Sequence, residues 1–181
     1  MGKYFFPIIA VGSLVMVMVI AKTSTTLKTT ATPLGILNLE FAYNSAKAGT
    51  VLNAWQPNEK IDNIKVATFN TWLDFIFLFF YSLFLFTGCK LLSADYTGAI
   101  QKAGQMLAKG AILAGLLDIV ENAGMLFTLH GNINNSILLL TTAVSIIKWI
   151  LALAAVAYLL VFGAGYLSRK KSLKIFKSGL N

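Results

Sequence analysis

Four stretches of the sequence are apolar over lengths that can cross a lipid bilayer, and this limits the possible folds more than any other feature. A spanning α-helix needs about 20 mostly apolar residues, and backbone groups in lipid must be satisfied within helices or closed barrels. The chain is 57% hydrophobic and only 12% charged, whereas about a quarter of the residues in a soluble domain are charged. We therefore predict an all-α, polytopic membrane four-helix bundle that forms a single membrane domain over residues 1–181. The expected spans are residues 4–22, 69–92, 106–129 and 137–167.

The first apolar run, Tyr4 to Ala21, follows a short basic start and could be a signal peptide or a spanning helix. A plausible small-residue cleavage point follows Ala21. However, the apolar core of a signal peptide is about 7–15 residues long, which is shorter than this run. We therefore interpret the run as the first spanning helix.

Residues 23–66 are polar and are expected to form an extramembrane helical loop between the first two spans. Within the loop, Gly35 to Trp55 has helical spacing, and Glu40 lies off its apolar side together with Asn44 and Lys47. This helix is expected to lie flat at the interface or to cap the bundle. The apolar side consists of Leu37, Phe41, Ala48, Val51, Leu52 and Trp55.

Lysine and arginine residues collect on one side of the bundle if all four helices span. The positive-inside rule places that side in the cytoplasm, so both termini are expected there and loop 23–66 is expected to be extracytoplasmic. A bacterial inner membrane is the cell membrane that fits best. The residues concerned are Lys3, Lys90, Lys102, Lys109 and the basic tail 168–181.

The net charge of +8 would suggest nucleic acid as a partner of a soluble protein. Here the basic residues flank apolar runs, which is typical of contact with anionic headgroups. Membrane lipids are therefore the expected partners, and nucleic acid is not.

Four ionisable residues lie inside the apolar runs, where an unpaired charge costs at least a few kcal/mol. Asp118 and Glu121 fall on one helix face together with Asn122 and Met125. Thr141, Ser145 and Lys148 form a similar polar stripe on the fourth span. Both Asp118 and Lys148 lie about 17 Å from the short hairpin that joins their helices, so they can pair. Asp74, on the second span, is expected to lie within reach of Glu121.

The sequence thus predicts a buried cluster of three carboxylates and one lysine that opens beneath the loop helix. Small residues upstream on the third span (Ala111, Ala114 and Gly115) allow close helix approach. The formal charge of minus two implies that a carboxyl holds a proton, with Asp74 and Glu121 as candidates, or that a cation or amine ligand is bound. The alternative is that the Asp118–Lys148 pair only fixes the register of two helices.

Motifs for metal, nucleotide, flavin or serine-nucleophile chemistry do not occur in the sequence, which has one His and one Cys. We therefore expect neither a metal nor a cofactor, and the sequence leaves open whether the protein is an enzyme.

The run Gly115-Leu-Leu-Asp-Ile-Val-Glu-Asn122, followed by Ile146-Ile-Lys-Trp149, resembles a pattern in uncharacterised bacterial four-helix membrane proteins with an L-D-x-x-E-N motif. The resemblance covers roughly the third and fourth spans and implies no activity. The layout is also similar to that of the sigma-2 receptor and sterol isomerase group, in which helices enclose carboxylates that bind a cationic ligand or intermediate. That second likeness is one of architecture alone, since no sequence motif of the group is present.

Three functions remain open at this stage. The first is binding of a hydrophobic small molecule or lipid, in which Asp118 and Glu121 could add acid–base chemistry with Lys148 as the counter-charge. The second is proton or cation translocation by a homo-oligomer. The third is a structural or assembly role in a larger membrane complex. The candidate ligand-binding residues are Asp74, Asn122, Met125, Ser145 and Glu40.

Overall fold

The structure, a computed structural model, describes residues 5–57 and 61–178, with side chains to residue 165. Within these ranges the secondary structure is entirely helical, which confirms the all-α prediction. A 3-10 turn, Thr25–Leu27, follows the first helix. The helices are α1 (Phe5–Thr23), α2 (Leu37–Glu40), α3 (Ser45–Ala54), α4 (Asn63–Ser93), α5 (Gly98–Leu129) and α6 (Asn135–Ser178).

In the part of the chain that the structure describes, four helices are long and apolar enough to cross a membrane: α1, α4, α5 and the Asn135–Gly165 part of α6. The chain is therefore a multi-pass membrane protein, and the other two helices, α2 and α3, lie in the connection between α1 and α4. This matches the predicted number of spans and the predicted helical loop.

The predicted starts of the second and third spans, residues 69 and 106, are wrong because both helices begin earlier, at Asn63 and Gly98. Their first turns mix polar and apolar residues and lie outside the continuous apolar runs, so a hydropathy pattern does not detect them. Asp62 caps α4 by accepting a hydrogen bond from the backbone N–H of Lys65 at 3.1 Å, and this bond lowers the pKa of the Asp62 carboxyl. Gly98 starts α5 with φ +64°, a conformation that favours glycine.

The fourth span was predicted to end at residue 167, but helix α6 continues to Ser178. Most of the predicted basic tail, residues 168–181, is therefore helical as far as Ser178. The side chains of its lysines and arginine lie outside the described residues.

Helix α5 is central, because it packs against both α4 and α6, and α4 also contacts α6. A Cβ atom added at Gly115 would lie 2.9 Å from Ser82 Cβ on α4, and one added at Gly124 would collide with Thr141 on α6. Small residues thus bring the three helices close together, as the sequence predicts. Helix α1 packs against α4 and leaves most of its apolar surface exposed.

Two apolar clusters occupy the two ends of the bundle. The cluster near the loop combines Leu39 and Trp55 with Met125 and other side chains. The opposite cluster includes Leu85, Ala111, Ala155 and Tyr158. A polar layer from the middle of α4, α5 and α6 lies between them.

The segment from residue 24 to residue 57, here called the cap, covers the ends of α4, α5 and α6. Its Trp55 indole is fully buried and donates a hydrogen bond to the Leu27 carbonyl at 3.0 Å. The backbone N–H of Ser45 donates to Asn135 Oδ1 at the start of α6, at 2.7 Å. This placement corresponds to the capping arrangement, the second of the two that the sequence left open.

The prediction of one continuous helix over Gly35 to Trp55 is wrong, because α2 ends at Glu40 and α3 begins at Ser45. Asn44 has an extended backbone, and its side chain accepts a hydrogen bond from the Lys47 N–H at 3.0 Å, which caps α3. The break allows Glu40 to point into the bundle while the apolar side of α3 is also buried.

Candidate functional site

Lys148 lies at the centre of a buried polar cluster, with 8% of its side chain exposed. Its Nζ is 2.9 Å from Asp118 Oδ1 and 2.8 Å from Glu121 Oε1. The expected pair between Asp118 and Lys148 is therefore present, and Glu121 joins it on the same ammonium. Both carboxylates come from α5, because positions 118 and 121 are about one helical turn apart and share a face.

Glu40 brings a third carboxylate to Lys148 from outside the spanning helices. Its Oε2 lies 3.8 Å from Lys148 Nζ, and it accepts a hydrogen bond from Trp149 Nε1 at 3.2 Å. The hydroxyl of Thr142 donates to the Glu40 carbonyl at 3.0 Å. These contacts dock α2 on α6, and they give Trp149 a polar partner that the sequence analysis did not assign.

Asp74 forms a second polar pair, with Asn122, beside the cluster around Lys148. Asn122 Nδ2 donates to Asp74 Oδ2 at 2.8 Å, which links α5 to α4. Asn122 itself is fully buried.

Tyr81 also belongs to the cluster, although the sequence analysis does not include it among the candidate site residues. Its hydroxyl donates to Asp118 Oδ2 at 2.8 Å, so Asp118 lies between the phenol and the ammonium. The spacing between Asp74 and Tyr81 could have identified Tyr81 from the sequence. The two residues are seven positions apart and therefore share one face of α4.

A partly enclosed cavity of about 30 Å³ lies beneath the cap, between α1, α4 and α5. This volume holds one water-sized species and is far smaller than the roughly 300–1,000 Å³ of a typical small-molecule site. Its lining combines two carboxylates with an amide, a hydroxyl and three apolar side chains. The lining residues are Ile20, Ile36, Glu40, Asn70, Thr71, Asp74 and Met125.

Two fully buried acceptor oxygens near the cluster have no hydrogen-bond donor among the described residues. They are Glu121 Oε2 and Asn122 Oδ1. Glu121 Oε2 lies 2.8 Å from the ammonium, but outside hydrogen-bonding geometry. Asn122 Oδ1 therefore has no partner among the described residues, and because an unsatisfied buried acceptor is destabilising, a water molecule or another donor would be stabilised beside it.

The structure brings most of the predicted site residues together. Asp118, Glu121, Lys148 and Glu40 form one cluster, and the Asp74–Asn122 pair lies next to it. Met125 lines the cavity. The hydroxyl of Ser145, in contrast, donates to the Thr141 carbonyl of its own helix at 2.8 Å.

The cluster and the adjacent Asp74 together have four carboxylates and one ammonium, so their formal charge is minus three if every carboxyl is ionised. A low-dielectric site cannot hold that charge unless protons or a cation offset part of it. No set of three or more His, Cys, Asp or Glu residues suited to a metal ion occurs in the described part of the chain.

Comparison of the chain with protein-family models, with curated proteins and with solved structures gave no match.

Proposed function

We propose that this membrane protein exchanges protons or a small cation at the Lys148 cluster, with access from the cap side. The observation that carries the proposal is the charge imbalance: three carboxylates lie within 4 Å of one ammonium, a fourth, Asp74, lies next to them, and Glu40 and Asp74 line a cavity beneath the cap. Ionisable residues inside a spanning bundle are commonly part of proton or ion pathways.

The roles of the residues follow from their positions. Glu40 and Asp74 face the cavity and are the first charged groups that a species from the cap side meets. Asp118 and Glu121 lie deeper on the Lys148 ammonium, which acts as a fixed counter-charge. Tyr81 ends the hydrogen-bonded chain at Asp118 on the side away from the cap.

The apolar cluster of Leu85, Ala111 and Ala155 lies beyond Tyr81 and separates the polar layer from the other end of the bundle. Net translocation would therefore need a second conformation or assembly of several copies, since the described residues form a polar path on the cap side alone. On the positive-inside rule we place the cap outside the cytoplasm and both termini inside it.

Binding of a hydrophobic ligand at the same cluster is the second candidate function. It is favoured by the apolar wall of the cavity, which Ile20, Ile36 and Met125 form opposite the carboxylates. A lipid or drug-sized molecule does not fit into about 30 Å³, so this function requires the cap to move. Proton or cation exchange requires no such movement.

Infrared difference spectroscopy on the purified protein tests the proposal, because protonated buried carboxyls have a band separate from that of ionised ones. We expect this band to change with pH in the wild type, and to lose one component in Asp74→Asn. Asp95→Asn is the matched control, since Asp95 is exposed in the turn between α4 and α5. A band that does not respond to pH would refute proton exchange at the cluster.

Proteoliposomes with an internal pH-sensitive dye then show whether exchange leads to net flux. Under an imposed membrane potential we expect proton flux in the wild type and little in Asp74→Asn. Saturable binding of a fluorescent lipid without any flux would instead support the second candidate.

A further inference from the structure

Asp74 differs in its partners from the carboxyls around Lys148. The three carboxyls of the cluster all lie within 4 Å of the Lys148 ammonium. Asp74 forms no such ion pair within the described part of the chain, and its hydrogen bond there comes from the neutral amide of Asn122, from Nδ2 to Oδ2 at 2.8 Å. An ionised carboxylate without a cation is costly inside a spanning bundle. Of the four carboxyls, Asp74 is therefore the one most favoured to hold a proton.

The side chain of Asn122 is only half satisfied. Its Nδ2 donates to Asp74, whereas its Oδ1 is fully buried and has no donor among the described residues. Both atoms belong to one planar amide, so the unsatisfied oxygen lies beside the carboxyl that Nδ2 contacts. An ionised Asp74 leaves this oxygen unsatisfied because a carboxylate only accepts hydrogen bonds, whereas a protonated carboxyl carries one O–H donor.

We infer that Asp74 and Asn122 form a proton-binding pair, in which Asp74 is a neutral carboxylic acid whose O–H donates to Asn122 Oδ1. The bond from Asn122 Nδ2 to Asp74 Oδ2 then has a reciprocal partner, and the buried amide is satisfied at both of its polar atoms. The inference rests on the proposed function for the exchange of the proton, and it deepens that function by naming the group that holds it.

The cavity beneath the cap gives the proton a route to this pair. Asp74 lines the cavity, which holds one water-sized species. A hydronium ion there transfers one proton to the Asp74 carboxylate and remains as a neutral water molecule, and the reverse transfer restores the carboxylate. Each transfer forms or breaks the bond to Asn122 Oδ1, so proton binding changes the hydrogen bonding between α4 and α5.

Charged groups on the neighbouring elements act on Asp74 from several sides. Asp118 on α5 and Glu40 on the cap repel a negative charge on Asp74, and Lys148 on α6 attracts it. On α4 itself, the phenol of Tyr81 is bonded to Asp118, and the α1 residue that lines the cavity is apolar. The ammonium makes its hydrogen bonds to carboxylates of the cluster, so this environment favours the neutral acid at Asp74.

Infrared spectroscopy of the purified full-length protein at neutral pH tests the inference without any variant. We expect a protonated-carboxyl band that moves to lower wavenumber when aspartate carries carbon-13 in its side-chain carboxyl, and that stays when glutamate is labelled. Asp62 is ion-paired with Lys65, and Asp95 is exposed. Asp118 accepts hydrogen bonds at both oxygens, as an ionised carboxylate does. The absence of such a band, or a band that moves only with the glutamate label, would overturn the inference.

Variants of the pair then assign the band to its two members. Asp74→Asn should abolish the aspartate component, and Asn122→Leu should move it to higher wavenumber because the acid loses both hydrogen bonds to the amide. Asn63→Leu is the matched control, since Asn63 is likewise buried with an unpaired Oδ1 but lies about three turns away from Asp74 on α4. A component that stays in place in Asn122→Leu, or moves equally in the control, would contradict the pair.

Exchanging the two side chains provides a variant that keeps the composition of the site. Asp74→Asn combined with Asn122→Asp retains one acid and one amide of the same volumes, so the same pair can form with its members reversed. This double variant should fold and should regain the aspartate component close to its wild-type position. A folded double variant without a protonated-carboxyl band would overturn the inference, even if Asn122→Leu does not fold.

The inference and the proposed function can fail separately. A pH-dependent carboxyl band that follows the glutamate label would leave proton exchange at the cluster standing and remove the pair. A band that these variants assign to Asp74, but that does not respond to pH, would keep the pair and refute proton exchange.

Discussion

Replacing Lys148 with methionine removes the ammonium that the carboxylates of the cluster contact and leaves the side-chain volume nearly unchanged. The wild-type Nζ donates to Asp118 Oδ1 at 2.9 Å and to Glu121 Oε1 at 2.8 Å. Hydrogen bonds to charged groups contribute about 1.5–3 kcal/mol each. Their acceptors are 2% and 0% exposed, so water cannot replace the ammonium.

We expect Lys148→Met to lower the free energy of unfolding by about 3–5 kcal/mol, the range for removal of one partner from a buried ion pair. Most of this loss reflects carboxylates that are left without a counter-charge. Adding Asp118→Asn and Glu121→Gln to Lys148→Met should therefore recover at least half of the loss, because neutral amides cost less to bury than carboxylates.

Titration with sodium dodecyl sulfate in mixed micelles, followed by circular dichroism, measures the free energy of unfolding of these variants. Lys102→Met is the control, since Lys102 is exposed on α5, and its effect should stay within about 0.5 kcal/mol. The reasoning is refuted if Lys148→Met is as stable as the wild type, or if the triple variant is no more stable than Lys148→Met.

Two further predictions concern groups around the cluster. Tyr81→Phe removes the hydroxyl that donates to Asp118 at 2.8 Å and should cost about 1.5–3 kcal/mol in the same titration; no measurable loss would show that the bond contributes nothing to stability. Gly115→Ala would place a Cβ atom 2.9 Å from Ser82 Cβ and should cost about 1–3 kcal/mol through overpacking. Gly49→Ala, where a Cβ meets open space inside α3, should be neutral or stabilising by about 0.5–1 kcal/mol, and equal losses at the two glycines would contradict a packing explanation.

The spans and the central ion pair follow from sequence because they depend on patterns that are local or nearly so. Apolar length identifies the four membrane helices. The short hairpin between α5 and α6 fixes the relative depth of Asp118 and Lys148, and the pair forms in the structure at 2.9 Å. The helix starts at Asn63 and Gly98 were missed because the first turns mix polar and apolar residues and lie outside the continuous apolar runs.

The role of Glu40 in the cluster could not be derived from helical spacing. On a continuous helix this residue lies off the apolar side, which predicts exposure, yet it is 6% exposed. Its burial depends on the break at Asn44 and on contacts with Thr142 and Trp149, which lie about a hundred positions further along the chain. Tertiary contacts of this kind override local pattern, and a single sequence does not reveal them.

The cap is docked on a helix that is synthesised after it, which sets the order in which this part of the fold can form. The cap is synthesised before α6, and the Glu40 carbonyl and its Thr142 donor are 102 positions apart. At about 5–20 residues per second, some 5–20 s pass between the synthesis of these two residues. During that interval the Glu40 side chain and carbonyl have no partner from α6, so the cap reaches its docked arrangement only after the last helix has been made.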